Sequence, residues 1–419
     1  MPVTAGLDRH AYLVPRLMGM MFLQYFTLGA WVVTLAKYLG NTAESGGLAF
    51  SPIQAAGIYS TFAIGGLVAP LFTGLLADRF VAAERFLSVL HILMAGLMTA
   101  AGWWGQTHQG PNANPAIAYW PLFGIMLAYS IACMASLTLT NVIGFRNLAN
   151  PKAKFGQIRL VGTFGWIVSG LILAVWFDAI SAGPLYLAAG ASVVLAAYSL
   201  TLPHTPPKGH GRPLAEVVGL PAIKLLRDPA FVVFAVVAFA CNALNQFYAV
   251  FSNPYVTQLG VDYPEAVLTL GQWCEMGCMA IVPFLLHRFG LKFVMTLGLI
   301  GWVVRNGLLW WGNVPLVVAV AIPMHGLSFA FFGMVGSIFV DREAPPHLRA
   351  GAQALVMIVT NGPALLLGNT IAGNLVTKHT SNGITDWSAV WLVSAIGYAA
   401  ALIVFVLFFR APPEKSGDS

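Results

Sequence analysis

Apolar runs of about 20 residues recur from one end of this 419-residue chain to the other, and that recurrence limits what it can fold into. A run of that length, wound as a helix, crosses the roughly 30 Å hydrocarbon layer of a bilayer. Such runs lie near 15–37, 52–77, 86–106, 116–145, 158–178, 183–202, 229–257, 265–287, 291–312, 315–340, 350–376 and 388–410. They predict an all-α integral membrane protein with twelve transmembrane helices. Composition closes the soluble alternative, because 58% of residues are hydrophobic and only 9% charged, against about a quarter charged in a soluble domain. The first run follows basic residues, as a secretory leader would. It continues from about Leu17 to Ala36 with no small-residue cleavage pattern ending a short core, so it reads as an uncleaved first span.

Basic residues set the orientation. With the N-terminus inside, the inner segments hold almost all the Lys and Arg, among them Arg16, Arg85, Arg146, Lys154, Arg227, Arg288, Lys292, Arg342, Arg349 and Arg410. The outer loops hold only Lys37 and Lys378. This asymmetry predicts a multi-pass inner-membrane protein with both termini in the cytoplasm. It also accounts for the formal net charge of +6 without a nucleic-acid partner.

The longest inner connection, 203–228, is rich in proline, glycine and basic residues and reads as a linker with a short amphipathic helix near 213–226. It divides the chain into an N-terminal six-helix bundle (1–202) and a C-terminal one (229–419). A faint repeat supports the division. GLLADRF (74–80) follows the second span, and LLHRFGLKF (285–293) follows the eighth. PKAKFGQIR precedes the fifth, and PPHLRAGAQ precedes the eleventh. Two similar six-helix halves around a midplane site are the plan of the major facilitator superfamily.

Against this background GQWCEMGCMA (271–280) stands out, because it puts Glu275 near the middle of a spanning helix. An ionised acid facing lipid there costs several kcal/mol, so Glu275 is expected to face a cavity or a partner. A carboxylate that alternates between wet and occluded surroundings suits a proton carrier. Gln272 is three residues earlier on the same face. The preceding span offers Asn242, Asn245, Gln246 and Tyr248, too many polar groups for a lipid-facing surface, though some suit hydrogen bonds between helices. In the fifth span Arg159, Thr163 and Trp166 follow i, i+4, i+7 spacing and share one stripe. Arg159 lies near the inner end, so its position alone equally suits a positive-inside anchor. In the tenth, His325, Phe329 and Phe332 share a face that suits either packing or a ligand. Arg305 is expected to snorkel or to pair with a neighbouring helix. Asp78 and Arg79, bordering Glu84 and Arg85, form a charge cluster able to hold helices in one transporter state. The cysteines Cys133, Cys241, Cys274 and Cys278 sit within apolar runs and imply neither a disulfide framework nor a metal site.

FLQYFTLGAW (22–31), QIRLVGTFGWI (157–167), LTLPH (200–204), GQWCEM…PFLLHRFGLK and SNGITDWSAVWL (381–392) resemble, in order, the bacterial nucleoside–proton symporters of the major facilitator superfamily. The resemblance runs from the first span to the last. It implies uptake of purine and pyrimidine nucleosides driven by the proton gradient, with no cofactor. Carried over by position, the substrate pocket comprises Arg159, Thr163, Trp166, Gln246, Gln272, Glu275, His325 and Phe329. Three positions depart from the pattern: His325 stands where a tyrosine is expected, Ala330 where an acid follows the phenylalanine, and Ala249 at a polar position. Loss of the second acid leaves Glu275 as the sole deep carboxylate, and an imidazole at 325 offers a second group that titrates near neutral pH.

The expected activity is proton-coupled nucleoside import by alternating access, with Glu275 carrying the proton and the chain acting as a monomer in the lipid bilayer. A proton–sugar or oligosaccharide symporter keeps the same fold, and Ala330 suggests an uncoupled facilitator. A receptor or membrane enzyme is disfavoured, since no effector domain, metal-ligand cluster or nucleophile–base pair is evident.

Overall fold

A computed structural model describes residues 12–76, 81–148, 150–207, 215, 219–312 and 314–410. By compactness the chain forms two units. The first comprises Met1–Arg212 with Tyr263–Thr269, and the second comprises Pro213–Asp262 with Leu270–Ser419. Among the described residues, ten helical stretches are long and apolar enough to cross a membrane.

In the first unit the helices are α1 (Leu13–Val32), α2 (Leu35–Gly40), α3 (Pro52–Leu76), α4 (Ala83–Thr107), α5 (Pro115–Asn147), α6 (Pro151–Trp176) and the shorter α7 (Gly183–Ser199). Proline opens α3, α5 and α6, where its fixed φ favours the helix and its missing N–H would have no partner anyway. Polar side chains pair across helices. The Gln24 amide donates to Ser136 Oγ at 2.9 Å, and its carbonyl oxygen lies 3.1 Å from His91 Nε2. The Trp31 indole donates to Tyr129 at 3.1 Å, and Thr61 and Ser130 share a 2.9 Å bond. These bonds cross-link α1, α3, α4 and α5 where no water competes.

At the inner end of this unit, buried Glu84 takes the Thr205 backbone N–H at 3.0 Å and lies 2.8 Å from His204 Nδ1. Asn147 donates to Thr205 Oγ1 at 2.8 Å, and Arg146 donates to the Pro206 carbonyl at 3.2 Å. Glu84 therefore straps the segment after α7 against α4 and α5. Asp78 and Arg79 lie outside the described residues.

The second unit begins with a 3₁₀ helix at Leu220–Arg227, and the remaining part of the 213–226 amphipathic expectation lies largely outside the described residues. Then come α8 (Pro229–Gln258), α9 (Pro264–Leu268, which packs with the first unit) and α10 (Leu270–Trp311). The Asp228 side chain caps α8 by accepting from Ala230 N at 2.7 Å. A continuous 48-residue run spans Pro264–Trp311, too long for one straight crossing. Gly290 divides α10 with φ 76° and ψ 168°, a conformation open to glycine and strained for any residue with a Cβ. The two arms of α10, 270–289 and 291–311, correspond to separate apolar runs in the sequence.

Further along lie α11 (Pro315–Ala321), α12 (Pro323–Ser328), a π-helical turn at Phe329–Met334, α13 (Val335–Glu343), α14 (Arg349–Asn361), α15 (Pro363–Lys378) and α16 (Trp387–Phe408). Breaks at Pro323 and Gly362–Pro363 leave discontinuous helices, a feature that transporters use at their binding regions. The SNGITDW segment is a two-stranded hairpin, Thr380–Ser381 with Ile384–Thr385, turned by Asn382 and Gly383 at positive φ. Gln258 at the end of α8 pins it by two bonds to the Thr385 backbone, and Asp386 caps α16.

Small residues let backbones meet, as expected where helix association relies on close packing. A Cβ on Gly165 would collide with the Phe22 carbonyl, and one on Gly368 with the Ala243 carbonyl. Gly368→Ala is therefore expected to force α15 from α8 at a cost of about 1–3 kcal/mol. This is read as a lowered apparent melting temperature of the purified protein. Gly124→Ala, which meets nothing within 4 Å, is the control and is expected to melt like wild type.

Candidate functional site

In the first unit, α6 carries the stripe Arg159, Thr163, Trp166, and α1 supplies its floor. The Arg159 guanidinium lies over the Tyr25 ring, 3.9 Å from its centroid. That ring in turn presses on Gly162, where an added Cβ would sit 2.6 Å from Tyr25 Cδ2. One turn along α1, Gly29 makes room for the Trp166 indole, at 3.2 Å from an added Cβ. Thr163 is buried, while Arg159 and Trp166 are half-buried. Tyr25 and Gly29, spaced i, i+4, thus hold the cation and the indole at the ends of one stripe. Sequence reasoning passed over Tyr25. Its signal lay in the QYFTLG spacing, which puts a ring and a gap on the same face.

In the second unit the remaining residues come from α8, the first arm of α10, α12 and the π-helical turn after it. Gln246 is buried and its amide reaches back to the Asn242 carbonyl at 3.4 Å, while Asn242 donates to the Ala238 carbonyl at 2.8 Å. Part of the polar content of α8 is thus satisfied by its own backbone. Gln272 and Glu275 are half-buried on α10. The backbone of Glu275 is fixed by a close helix crossing, because a Cβ on Gly326 would collide with Gly271 O and Glu275 N. His325, one residue before that crossing, stacks on Tyr248 with centroids 4.8 Å apart and planes at 25°. Phe329 is 6.1 Å further along the same face and 46% exposed, free to offer its ring to a partner.

Arg305 does not snorkel. It has no exposed surface and lies inside the second unit, 4.3 Å above the Tyr248 ring, with Nη1 donating to His325 Nδ1 at 2.8 Å. Ala330, at the position of the missing acid, is buried in the apolar core beside Phe331 and Phe332. Cys274 and Cys278 are free thiols one turn apart, with sulfurs at 3.8 Å.

These arrangements offer two kinds of recognition: an arginine and an indole on an aromatic floor in one unit, and amides, an acid and stacked rings in the other. Neither resembles a nucleophile–base pair, and among the described residues no group of three metal-ligating side chains converges.

Comparison with known proteins agrees with the architecture. A family model described as nucleoside H+ symporter matches residues 12–414. The chain is 33% identical to the xanthosine permease of Escherichia coli (strain K12), covering 96% of this chain and 97% of that protein. It is 28% identical to the nucleoside permease NupG of the same organism, over 93% and 94% of the two chains. Among solved structures, the crystal structure of the nucleoside transporter NupG superposes with a TM-score of 0.82 at 27% identity, covering 95% of this chain and 99% of that one. A POT family transporter, at 14% identity and a TM-score of 0.72, shares the fold. The chain is a multi-pass membrane transporter and belongs to the nucleoside H+ symporter family.

Proposed function

We propose that this chain imports nucleosides by proton symport, with Glu275 as the proton-carrying group and twelve spans arranged as two six-helix bundles. Nucleoside–proton symport follows from the family, whose model covers nearly the whole chain. The bundle count is supported by the division of α10 at Gly290 and by α7, which adds a shorter apolar helix to the long ones. We place both termini in the cytoplasm on the strength of the basic inner segments, and take the monomer as the working unit. The bundles then correspond to 1–202 and 229–419, with 203–228 as the linker.

The observation that carries the assignment of Glu275 is its setting. Its backbone is locked by Gly326 against α12, next to the His325–Tyr248 stack, in the first arm of α10, where it is the one acid. A carboxylate there is costly when ionised unless matched by a protein partner, cargo or solvent, so a change in its surroundings as nucleoside moves is linked to proton loss. In this reading Arg159, Thr163 and Trp166 from the first unit and Gln246, Gln272, Glu275, His325 and Phe329 from the second serve as substrate-binding groups. The amides and Arg159 suit ribose hydroxyls and base edges, and the aromatic faces suit the base itself. Asp78 and Arg79 serve as the conformational charge cluster of the inner loop, with Glu84 beside them committed to the strap on His204 and Thr205. A facilitator without proton coupling is the second reading, favoured by Ala330, whose buried apolar setting supplies no second acid.

Two measurements test these assignments. A pH gradient of about one unit supports roughly tenfold accumulation for one proton per nucleoside. Glu275→Gln is expected to bring the accumulation ratio to about 1 while leaving nucleoside exchange intact. Accumulation at the wild-type level by this variant would remove Glu275 from coupling, and wild-type initial uptake indifferent to a protonophore would establish the facilitator. Separately, Tyr25→Leu removes the ring beneath Arg159. At about 0.5–2 kcal/mol for such a contact, KM is expected to rise about two- to thirtyfold, whereas Tyr25→Phe keeps the face and stays near wild type.

A further inference from the structure

The Arg305–His325 contact fixes more than packing. Guanidinium is donor-only and permanently charged, so the 2.8 Å bond from Nη1 requires a lone pair on His325 Nδ1. The ring proton then resides on Nε2. A doubly protonated ring would direct an N–H at an N–H and hold two cations in contact. The ring has little freedom to turn away. Tyr248 stacks on its face, and Arg305 spans both of them, 4.3 Å above the Tyr248 centroid. Its Cδ2 edge, next to Nε2, lies against the first arm of α10. A Cβ on Gly271 would be 3.4 Å from that carbon, and Glu275 is one turn further along. The guanidinium itself is fully buried, its Nε and Nη2 find no hydrogen-bond partner, and the Tyr398 ring lies 5.9 Å away. A buried cation kept at such cost and hydrogen-bonded to His325 needs a reason beyond packing.

We propose that Arg305 is a positioning residue that holds His325 in a single neutral tautomer, a fixed Nε2–H donor beside the α10 face bearing Glu275, and so excludes His325 from proton transport. The titratable or charged groups packed around the pair are Cys241 and Tyr248 on α8, Glu275 and Arg305 on the two arms of α10, and Tyr398 on α16. Of these, the thiol and the phenols ordinarily remain neutral at physiological pH. The imidazole, which could have replaced the missing acid at 330, is thereby withdrawn from that role. The consequence for coupling rests on the reading of Glu275 as proton carrier, while the tautomer itself does not.

The test uses the full chain, labelled with ¹⁵N-histidine and reconstituted in lipid nanodiscs. Of the nine histidines, the His325 signals are those lost in His325→Gln. Between about pH 5 and 8 they are expected to keep the Nε2–H pattern throughout. In Arg305→Gln the same ring is expected to titrate, and transport to gain a pH-dependent step absent from wild type. His325→Gln is expected to raise the KM for nucleoside, while its accumulation at saturating nucleoside remains driven by the pH gradient with the wild-type pH profile. A doubly protonated or Nδ1–H ring in the wild type overturns the proposal, with no need for the Arg305 variant to fold. So does loss of pH-driven accumulation in His325→Gln as complete as in Glu275→Gln. A fixed tautomer together with full accumulation by Glu275→Gln would retain the lock and discard the coupling role of Glu275.

Discussion

Hydrocarbon offers no hydrogen bonds, so every polar side chain within a spanning helix must find a partner in the protein or face a space where water or cargo can reach it. Many interior polar groups of this chain find such partners. Gln24 bonds His91 and Ser136 across three helices, and Thr61 pairs with Ser130 and Asn306 with Ser394 at 2.9 Å. The Tyr398 hydroxyl donates to the Cys241 carbonyl at 3.2 Å. These groups are buried and specify how helices register. Arg159, Trp166, Gln272, Glu275 and His325 are instead only half-buried, although they lie on helices apolar enough to span. Partial exposure of polar groups on spanning helices fits the proposed role of these residues in handling cargo, alongside buried Thr163 on α6 and buried Gln246 on α8.

Close backbone contact supplies the precision those half-buried groups need. Gly326 brings α12 onto the Glu275 backbone, and Gly162, Gly165 and Gly29 bring α6 onto α1. In each case a methyl group has no room. Phe329–Met334 winds as a π-turn just past His325, which shifts the side chains after it relative to those before it. Ala330 is thereby turned into the core while Phe329 stays exposed.

Much of this was legible in the sequence, because length and periodicity answer to bilayer thickness. The apolar runs, including the separate runs at 265–287 and 291–312 that Gly290 divides, and the GLLADRF and LLHRFGLKF echoes could all be read directly. The stripe of Arg159, Thr163 and Trp166 followed from helical spacing alone. Depth along a helix was less legible than its existence. Arg305 reads as a residue near an outer end that reaches for water, yet which way it turns depends on Tyr248, His325 and Tyr398, which arrive from α8, α12 and α16. Tyr25 was invisible for a similar reason, since its role depends on a cation more than 130 residues later in the chain. Glu84 beside GLLADRF reads as part of a free charge cluster, whereas a distant histidine and a backbone N–H take up its carboxylate. Long-range pairings between polar residues leave no periodic trace.

The central claim is that one carboxylate, Glu275, links nucleoside movement to proton movement. Its most direct test is proton flux driven by nucleoside alone. Purified protein is sealed into liposomes with a pH-sensitive dye inside, equal pH on both sides and a nucleoside added outside. The account predicts that the lumen of wild-type vesicles acidifies as nucleoside enters, and that Glu275→Gln vesicles preloaded with nucleoside take up labelled nucleoside by exchange without any pH change. Nucleoside entry into wild-type vesicles at constant internal pH, or equal acidification in the variant, would contradict it.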